Sequence, residues 1–313
     1  MKKIAFMFPG QGSQTVGMGK DLYETDDEIK QLFDNANTLV SFDLKSYMFE
    51  GPEHILTKTE HAQPALLLSS VAVQTLLKRE GITPSMVVGH SLGEYSALVA
   101  AGALTASEAI PLVASRGAYM EKAVPTGQGA MAAVLGLSVE EIETALQTLN
   151  ETEIVDVANI NCPGQVVVSG TKEGIEKAVS ILTDAGARRV LPLNVSGPFH
   201  SRLMKPASID FKERLKKVAF HDAEIPVYAN VTAQPVTDKI EIEQLLFEQL
   251  FSPVQFEQSV RHMIDAGAEV FVEVGNGKVL SGLVRKINRK IPTFSIQDQE
   301  TLDKFMTWYR EEA

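Results

Sequence analysis

The chain has 313 residues, 44% hydrophobic and 22% charged, which is ample material for one large domain carrying a smaller one. Its net charge is −11, from 29 Lys and Arg against 40 Asp and Glu, and this argues against general nucleic-acid binding, which wants a basic surface. With one cysteine, Cys162, the chain closes no internal disulfide, and a reducing compartment fits.

The first predicted element is a buried strand from Ile4 to Phe8. Behind Met1-Lys2-Lys3 this run mimics the start of a signal peptide, but Pro9-Gly10 ends it too early for an apolar leader. No apolar stretch approaches the roughly 18 residues that span a bilayer, so a soluble cytoplasmic protein without membrane contact is expected. The loop Gly10-Gln11-Gly12-Ser13-Gln14 invites a phosphate reading and fails it. Gly-x-Gly-x-x-Gly requires glycine at Thr15, and the Walker pattern fails around Gly19-Lys20. A loop that brings the Gln11 N–H to a reacting carbonyl fits better.

Helices are expected from about Asp27 to Val40 and from Pro64 to Glu80, the second almost wholly apolar and so buried. Met86-Val87-Val88 then reads as a strand, followed by Gly89-His90-Ser91-Leu92-Gly93 and a helix opening at Glu94. That is Gly-x-Ser-x-Gly at a strand-to-helix junction, the context in which a nucleophilic serine is lifted clear of a sheet. Ser91 is the candidate nucleophile, and the N–H of Leu92, paired with that of Gln11, makes a candidate oxyanion hole. A helix from about Ser107 to Ala123 carries Arg116 between Leu112, Val113 and Met120. A buried guanidinium there wants a carboxylate or phosphate partner.

From Gly127 to Ser196 the rhythm changes. A strand Ala130 to Leu137 precedes a helix Val139 to Leu149 capped by Ser138. Strands Ile154 to Ile160 and Gln165 to Ser169 flank the turn Asn161-Cys162-Pro163-Gly164. A helix Thr171 to Ala185 and a strand Arg189 to Val195 complete a β-α-β-β-α-β order, that of a ferredoxin-like unit. Residues 127–196 therefore read as a small domain inserted into a large α/β domain of residues 1–126 and 197–313, with junctions near Pro125-Thr126-Gly127 and Ser196-Gly197-Pro198. The α/β pattern then resumes with a helix Ser208 to Lys217, a strand Pro226 to Val231 and helices Glu241 to Phe251 and Pro253 to Ala266. A strand Glu269 to Val274 and a helix ending at Lys286 close the reading.

A serine nucleophile needs a base, and the chain has six histidines. His54, His61, His221 and His262 lie in polar or helical contexts and read as surface or structural, while His90 leaves the elbow in another direction. His200 stands where the inserted unit returns to the large one, the kind of crevice in which sites form. Sequence spacing alone does not bring it to Ser91. Cys162 has no neighbouring base in sequence and reads as structural. No His-Glu-x-x-His or Cys/His cluster is present, so no metal is expected. Lys278, Arg285, Lys286, Arg289 and Lys290 lie in a stretch without acidic residues, which suits either a solvated helix face or a dock for an acidic partner.

Together Phe8-Pro9-Gly10-Gln11-Gly12-Ser13-Gln14, Gly89-His90-Ser91-Leu92-Gly93-Glu94, Arg116, Asn161-Cys162-Pro163-Gly164-Gln165, Gly197-Pro198-Phe199-His200 and Glu273-Val274-Gly275 resemble the malonyl-CoA:acyl-carrier-protein transacylases. The resemblance runs from the first strand to about Lys290. It implies an α/β-hydrolase-like large domain with the ferredoxin-like insert, Ser91 as the acylated nucleophile and His200 as its base. It further implies an oxyanion hole at Gln11 and Leu92, and Arg116 as clamp of the malonyl carboxylate. Gln249 matches the position whose backbone carbonyl orients the histidine. Phe199 resembles the malonyl-selecting members, and Asn161 shapes the wall of the insert. Cys162, where serine is frequent, is a departure. The implied reaction is ping-pong transfer from malonyl-CoA to the phosphopantetheine thiol of acyl carrier protein, in fatty-acid synthesis, by a monomer without bound cofactor. The acidic carrier protein would suit the cationic stretch 278–290. A serine hydrolase, an acyltransferase of polyketide synthesis and a non-catalytic acyl-CoA-binding protein remain as alternatives.

Overall fold

The computed structural model describes residues 2–125 and 127–312. The strand Ile4–Phe8 (β1) is buried along its whole length and lies inside a six-stranded sheet. Its neighbours are Met86–Gly89 (β2) on one side and Val270–Val274 (β9) on the other, both parallel to it. Thr293–Ile296 (β10) extends the sheet beyond β9, and Val227–Tyr228 (β7) extends it beyond β2 with the antiparallel edge strand Pro235–Val236 (β8). Continuous apolar strands such as Ile4-Ala5-Phe6-Met7-Phe8 follow from helices covering both faces of a parallel sheet. Each large apolar side chain buried in this way contributes ~1.5–3 kcal/mol. The order β10-β9-β1-β2-β7-β8 reverses direction around β1, so the loops leaving β1, β2 and β9 open into one crevice at the carboxyl ends of the strands.

The second sheet has four antiparallel strands in the order β4-β5-β3-β6, built from Gly129–Leu135 (β3), Val155–Cys162 (β4), Gln165–Thr171 (β5) and Arg189–Pro192 (β6). Helices Val139–Leu146 and Lys172–Asp184 pack on it, the first opened by the Ser138–Glu141 capping box and the second by Thr171. The two sheets are tied together. Ile160 N–H donates to Val254 O (2.9 Å) and Val254 N–H to Ala158 O (2.8 Å), so the edge of the small sheet is pinned to the large unit. The cleft lies between these two parts.

Several expectations need correction. The buried helix opens at Thr59 rather than Pro64, and Pro64 sits inside Thr59–Arg79, where its missing N–H forfeits one early helical bond. The expected strand from Pro226 to Val231 shrinks to β7, because Ala229 turns back to Gln234 and frees Asn230 to reach the site. The turn Asn161-Cys162-Pro163-Gly164 shortens to Pro163-Gly164, since β4 runs through Cys162. The last strand of the small unit stops at Pro192 rather than Val195. Short helices Lys20–Thr25, Leu44–Phe49 and Glu53–Leu56, together with β8, β10 and the helix Gln299–Glu312, were not anticipated. Thr126, at the expected junction, and the terminal Met1 and Ala313 lie outside the described residues. Among the described residues no helix is long and apolar enough to cross a membrane.

Candidate active site

Ser91 follows β2 directly and opens the helix Gly93–Ala100. The turn is as tight as the glycines suggest. A Cβ on Gly89 would stand 1.8 Å from the Gly93 carbonyl carbon, and one on Gly93 would stand 2.0 Å from Phe8 O. Neither position has room for a side chain, and the close approach brings the β1 loop alongside the serine. Ser91 itself is held at φ 53°, in the left-handed region that serine seldom adopts, and His200 is held at φ 59°.

The structure brings Ser91 and His200 together across 109 positions of sequence, with Ser91 Oγ 2.8 Å from His200 Nε2. The other ring nitrogen, Nδ1, lies 2.8 Å from Gln249 O. A carbonyl only accepts, so Nδ1 carries the proton and Nε2 presents its lone pair to the serine hydroxyl. Burial, and then the charge of Arg116, lower the His200 pKa from its ordinary value to about 3, so the ring is a neutral acceptor. A hydroxyl, an unprotonated ring nitrogen and a carbonyl that holds the ring are thus hydrogen-bonded in succession, an arrangement able to activate a serine.

Arg116, on the helix Ala106–Lys122, is fully buried. Its Nη2 donates to Ser91 Oγ (3.2 Å) and to Gln249 Oε1 (2.8 Å), and its Nη1 donates to Gln63 Oε1 (2.9 Å). Its Nε is buried and, among the described residues, has no acceptor. Nε and Nη2 form one edge of the guanidinium, the edge that pairs with a carboxylate in bidentate fashion. The face of Tyr95 lies 5.3 Å from the guanidinium carbon.

Gln249 contributes its side chain as well as its carbonyl. Nε2 donates to Glu94 Oε2 (2.7 Å), to Ser91 O (3.1 Å) and to Asn230 Oδ1 (3.2 Å). Asn230 Oδ1 accepts the Ser91 N–H (2.8 Å), while Nδ2 donates to Gly89 O (2.7 Å), so one buried amide clamps both limbs of the elbow. Glu94 is buried, and desolvation raises its pKa to about 7. The sequence reading missed Asn230, Glu94 and Gln63. Asn230 was hidden in an apparent strand, whereas Glu94 carried a usable signal, a charge among Tyr95, Ala97 and Leu98.

A cleft of about 350 Å³ is lined by Gln11, Ser91, Asn161, Phe199 and His200. Neither the Gln11 nor the Leu92 N–H is donated to a backbone or side-chain acceptor among the described residues. His90 Nε2–H donates to Asn161 Oδ1 (2.8 Å), which ties the elbow to the small sheet. Cys162 is buried with its pKa raised by desolvation, the reverse of a reactive thiol. His61 is packed against Phe42 and Tyr47, and His262 lies 2.8 Å from Ala233 O, both far from Ser91 in role. Lys278, Arg285, Lys286, Arg289 and Lys290 are exposed around the helix Val279–Ile287. That helix is capped by the buried Glu273 carboxylate, which accepts the N–H groups of Leu280 (3.0 Å) and Ser281 (2.8 Å). Its Leu280 and Leu283 form part of the cleft wall.

Comparison with known proteins agrees with this chemistry. The family model described as acyl transferase domain matches residues 5–297. The malonyl CoA-acyl carrier protein transacylase of Bacillus subtilis (strain 168) is 50% identical over 313 residues, covering 100% of this chain and 99% of that protein. A transacylase crystal structure from Streptococcus pneumoniae is 44% identical with a TM-score of 0.93, covering 97% of this chain and 99% of that one. A malonyl-transacylase solved in complex with its type II polyketide acyl-carrier protein is 40% identical with a TM-score of 0.93, over 96% of this chain and 98% of that one. A match of this extent and depth makes the chain a member of the acyl transferase family, among the malonyl CoA-acyl carrier protein transacylases.

Proposed function

We propose that this enzyme moves the malonyl group from malonyl-CoA to the phosphopantetheine thiol of acyl carrier protein, through an ester on Ser91, in fatty-acid synthesis. The observation that carries the reading is the buried Arg116 with Nη2 3.2 Å from Ser91 Oγ. A neutral acyl ester has no use for a desolvated cation beside the nucleophile, whereas a malonyl group brings the carboxylate that cation lacks. The same arginine weighs against a general serine hydrolase, and the Ser91–His200 pair weighs against a mere acyl-CoA binder.

In this reading Ser91 Oγ attacks the thioester carbonyl while its proton passes to His200 Nε2. The oxyanion meets the N–H groups of Gln11 and Leu92. Collapse expels the CoA thiolate, which takes the proton from His200. The carrier thiol then gives its proton to His200 and attacks the ester, and Ser91 leaves with that proton restored. Phe199 lines the cleft beside His200, and Asn161 holds His90 and the adjoining wall. Every group named here belongs to one chain, so turnover needs no second copy. A single buried thiol is consistent with work in a reducing cytoplasm. The element order and the strand order β4-β5-β3-β6 support a ferredoxin-like insert at 127–196 in a hydrolase-like domain of 1–126 and 197–313.

The test is intact-protein mass spectrometry with malonyl-CoA and acetyl-CoA, followed by holo-carrier. Malonyl-CoA should leave an adduct that the carrier discharges. Arg116→Ala should lose malonyl transfer by the equivalent of ~2–5 kcal/mol, while acetyl transfer holds or rises. Equal loss of both would make Arg116 structural and remove the main support of the reading.

We further infer that the carrier docks on Lys278, Arg285, Lys286, Arg289 and Lys290, supported by their exposure on and beside a helix that borders the cleft. Charge reversal at Arg285 and Lys286 should raise the KM for the carrier and spare acylation by malonyl-CoA. The defect should shrink with salt, since exposed charges are screened over about 8 Å. A matching defect toward malonyl-CoA would count against the dock.

A further inference from the structure

The polar partners of Arg116 are Gln63 Oε1, Ser91 Oγ and Gln249 Oε1, all uncharged. A guanidinium with no exposed surface needs a negative charge nearby. One stands on the far side of the Gln249 amide. Gln249 Oε1 accepts from Arg116 (2.8 Å), and Gln249 Nε2 donates to Glu94 Oε2 (2.7 Å). The orientation of this amide is fixed by chemistry, because a guanidinium only donates and a carboxylate and a carbonyl only accept. The amide dipole therefore points its negative end at the cation and its positive end at the anion. Glu94 is 3% exposed and is also held by the Asn230 N–H (3.0 Å).

We propose that Glu94 is the counter-charge of Arg116 in the empty site, relayed through the Gln249 amide, and that it sets how strongly the site prefers an acyl group bearing a free carboxylate. The proposal rests on the reading in which Arg116 receives that carboxylate. In the empty enzyme Glu94 partly satisfies the buried cation. When an acyl carboxylate arrives, two anions share one guanidinium, and an ionised Glu94 opposes the newcomer across a short, dry path. The conflict is relieved when Glu94 takes up a proton, which its pKa near 7 places within reach. The ionisable groups around it do not titrate there. Burial holds His200, His90 and Arg116 below their ordinary values and Tyr95 above its own, and a guanidinium starts so high that it keeps its charge. Glu94 is thus a positioning and selectivity residue that never touches substrate.

The experiment measures malonyl-CoA and acetyl-CoA binding by calorimetry on full-length Ser91→Ala protein, which binds without reacting. Adding Glu94→Gln keeps an acceptor oxygen for Asn230 and Gln249 and removes only the charge. It should tighten malonyl-CoA several-fold and leave acetyl-CoA unchanged, while Glu94→Asp should keep the original ratio. Without any change at Glu94, the preference for malonyl-CoA should weaken as pH rises through about 7, which tests the idea even if Glu94→Gln fails to fold. Both effects should vanish when Arg116→Ala is added. Equal shifts for the two esters, a looser malonyl complex, or a pH-independent ratio would overturn the role of Glu94. If Arg116→Ala leaves the malonyl preference intact, the carboxylate reading itself has failed, a distinct result.

Discussion

Ser91→Ala should lower turnover by about 10⁶-fold, the scale of nucleophile loss in serine enzymes, and should leave no malonyl adduct. Alanine keeps the Cβ, so the left-handed backbone at φ 53° is as costly as before and the melting temperature should hardly move. The Asn230 clamp on the Ser91 N–H and the Gly89 carbonyl is also untouched, because it grips backbone. The measurement is transfer rate alongside thermal unfolding. Near-normal transfer by the alanine protein would remove the elbow from the mechanism, whereas an unfolded protein would mean the hydroxyl holds the Arg116 network together.

His200→Ala should slow both half-reactions by a factor of similar size, since in the proposed mechanism the ring shuttles a proton in each. The pH behaviour gives a second readout. Folding lowers the His200 pKa to about 3, first through desolvation and next through Arg116. The unfolded chain binds a proton near the ordinary histidine value of ~6.5, while the folded one refuses it until far lower. Stability from this group is therefore complete above that ordinary value and is lost as pH falls toward 3. The acid limb of malonylation should lie well below the ordinary histidine range. His61→Ala supplies the control, because His61 stacks on Phe42 and Tyr47, and its loss should lower stability and spare the rate per folded molecule. A full-rate burst from His200→Ala would end the assignment.

The local geometry of the site was legible where residue type and local context coincide. Gly89 to Gly93 after an apolar strand predicts an elbow, and Arg116 among Leu112, Val113 and Met120 predicts a buried cation. Both stand as expected. The pairing of Ser91 with His200 was not legible from spacing, because it is made by the register of β2 against β1 and by the return of the chain after β6. It came from the resemblance. Asn230 escaped because its role depends on the chain leaving the sheet after Tyr228, a tertiary event that strand-like neighbours conceal. Gln249 was assigned through its carbonyl, yet its side chain links four partners, and nothing in a helical Glu248-Gln249-Leu250 run announces that. The short helices between Lys20 and Leu56 lack the length that gives a helix a readable periodicity.

The left-handed backbone shared by Ser91 and His200 sets two selections against each other. Such conformations cost on the order of 1–3 kcal/mol each in side-chain-bearing residues, and glycine escapes most of that cost. A laboratory search for thermostable variants that scores only folding would therefore be drawn to these two positions and would find its gains there by discarding the chemistry. Any stabilisation campaign on this scaffold has to hold Ser91 and His200 fixed and seek its increments elsewhere, for instance at the largely exposed Ile209 or Ile240.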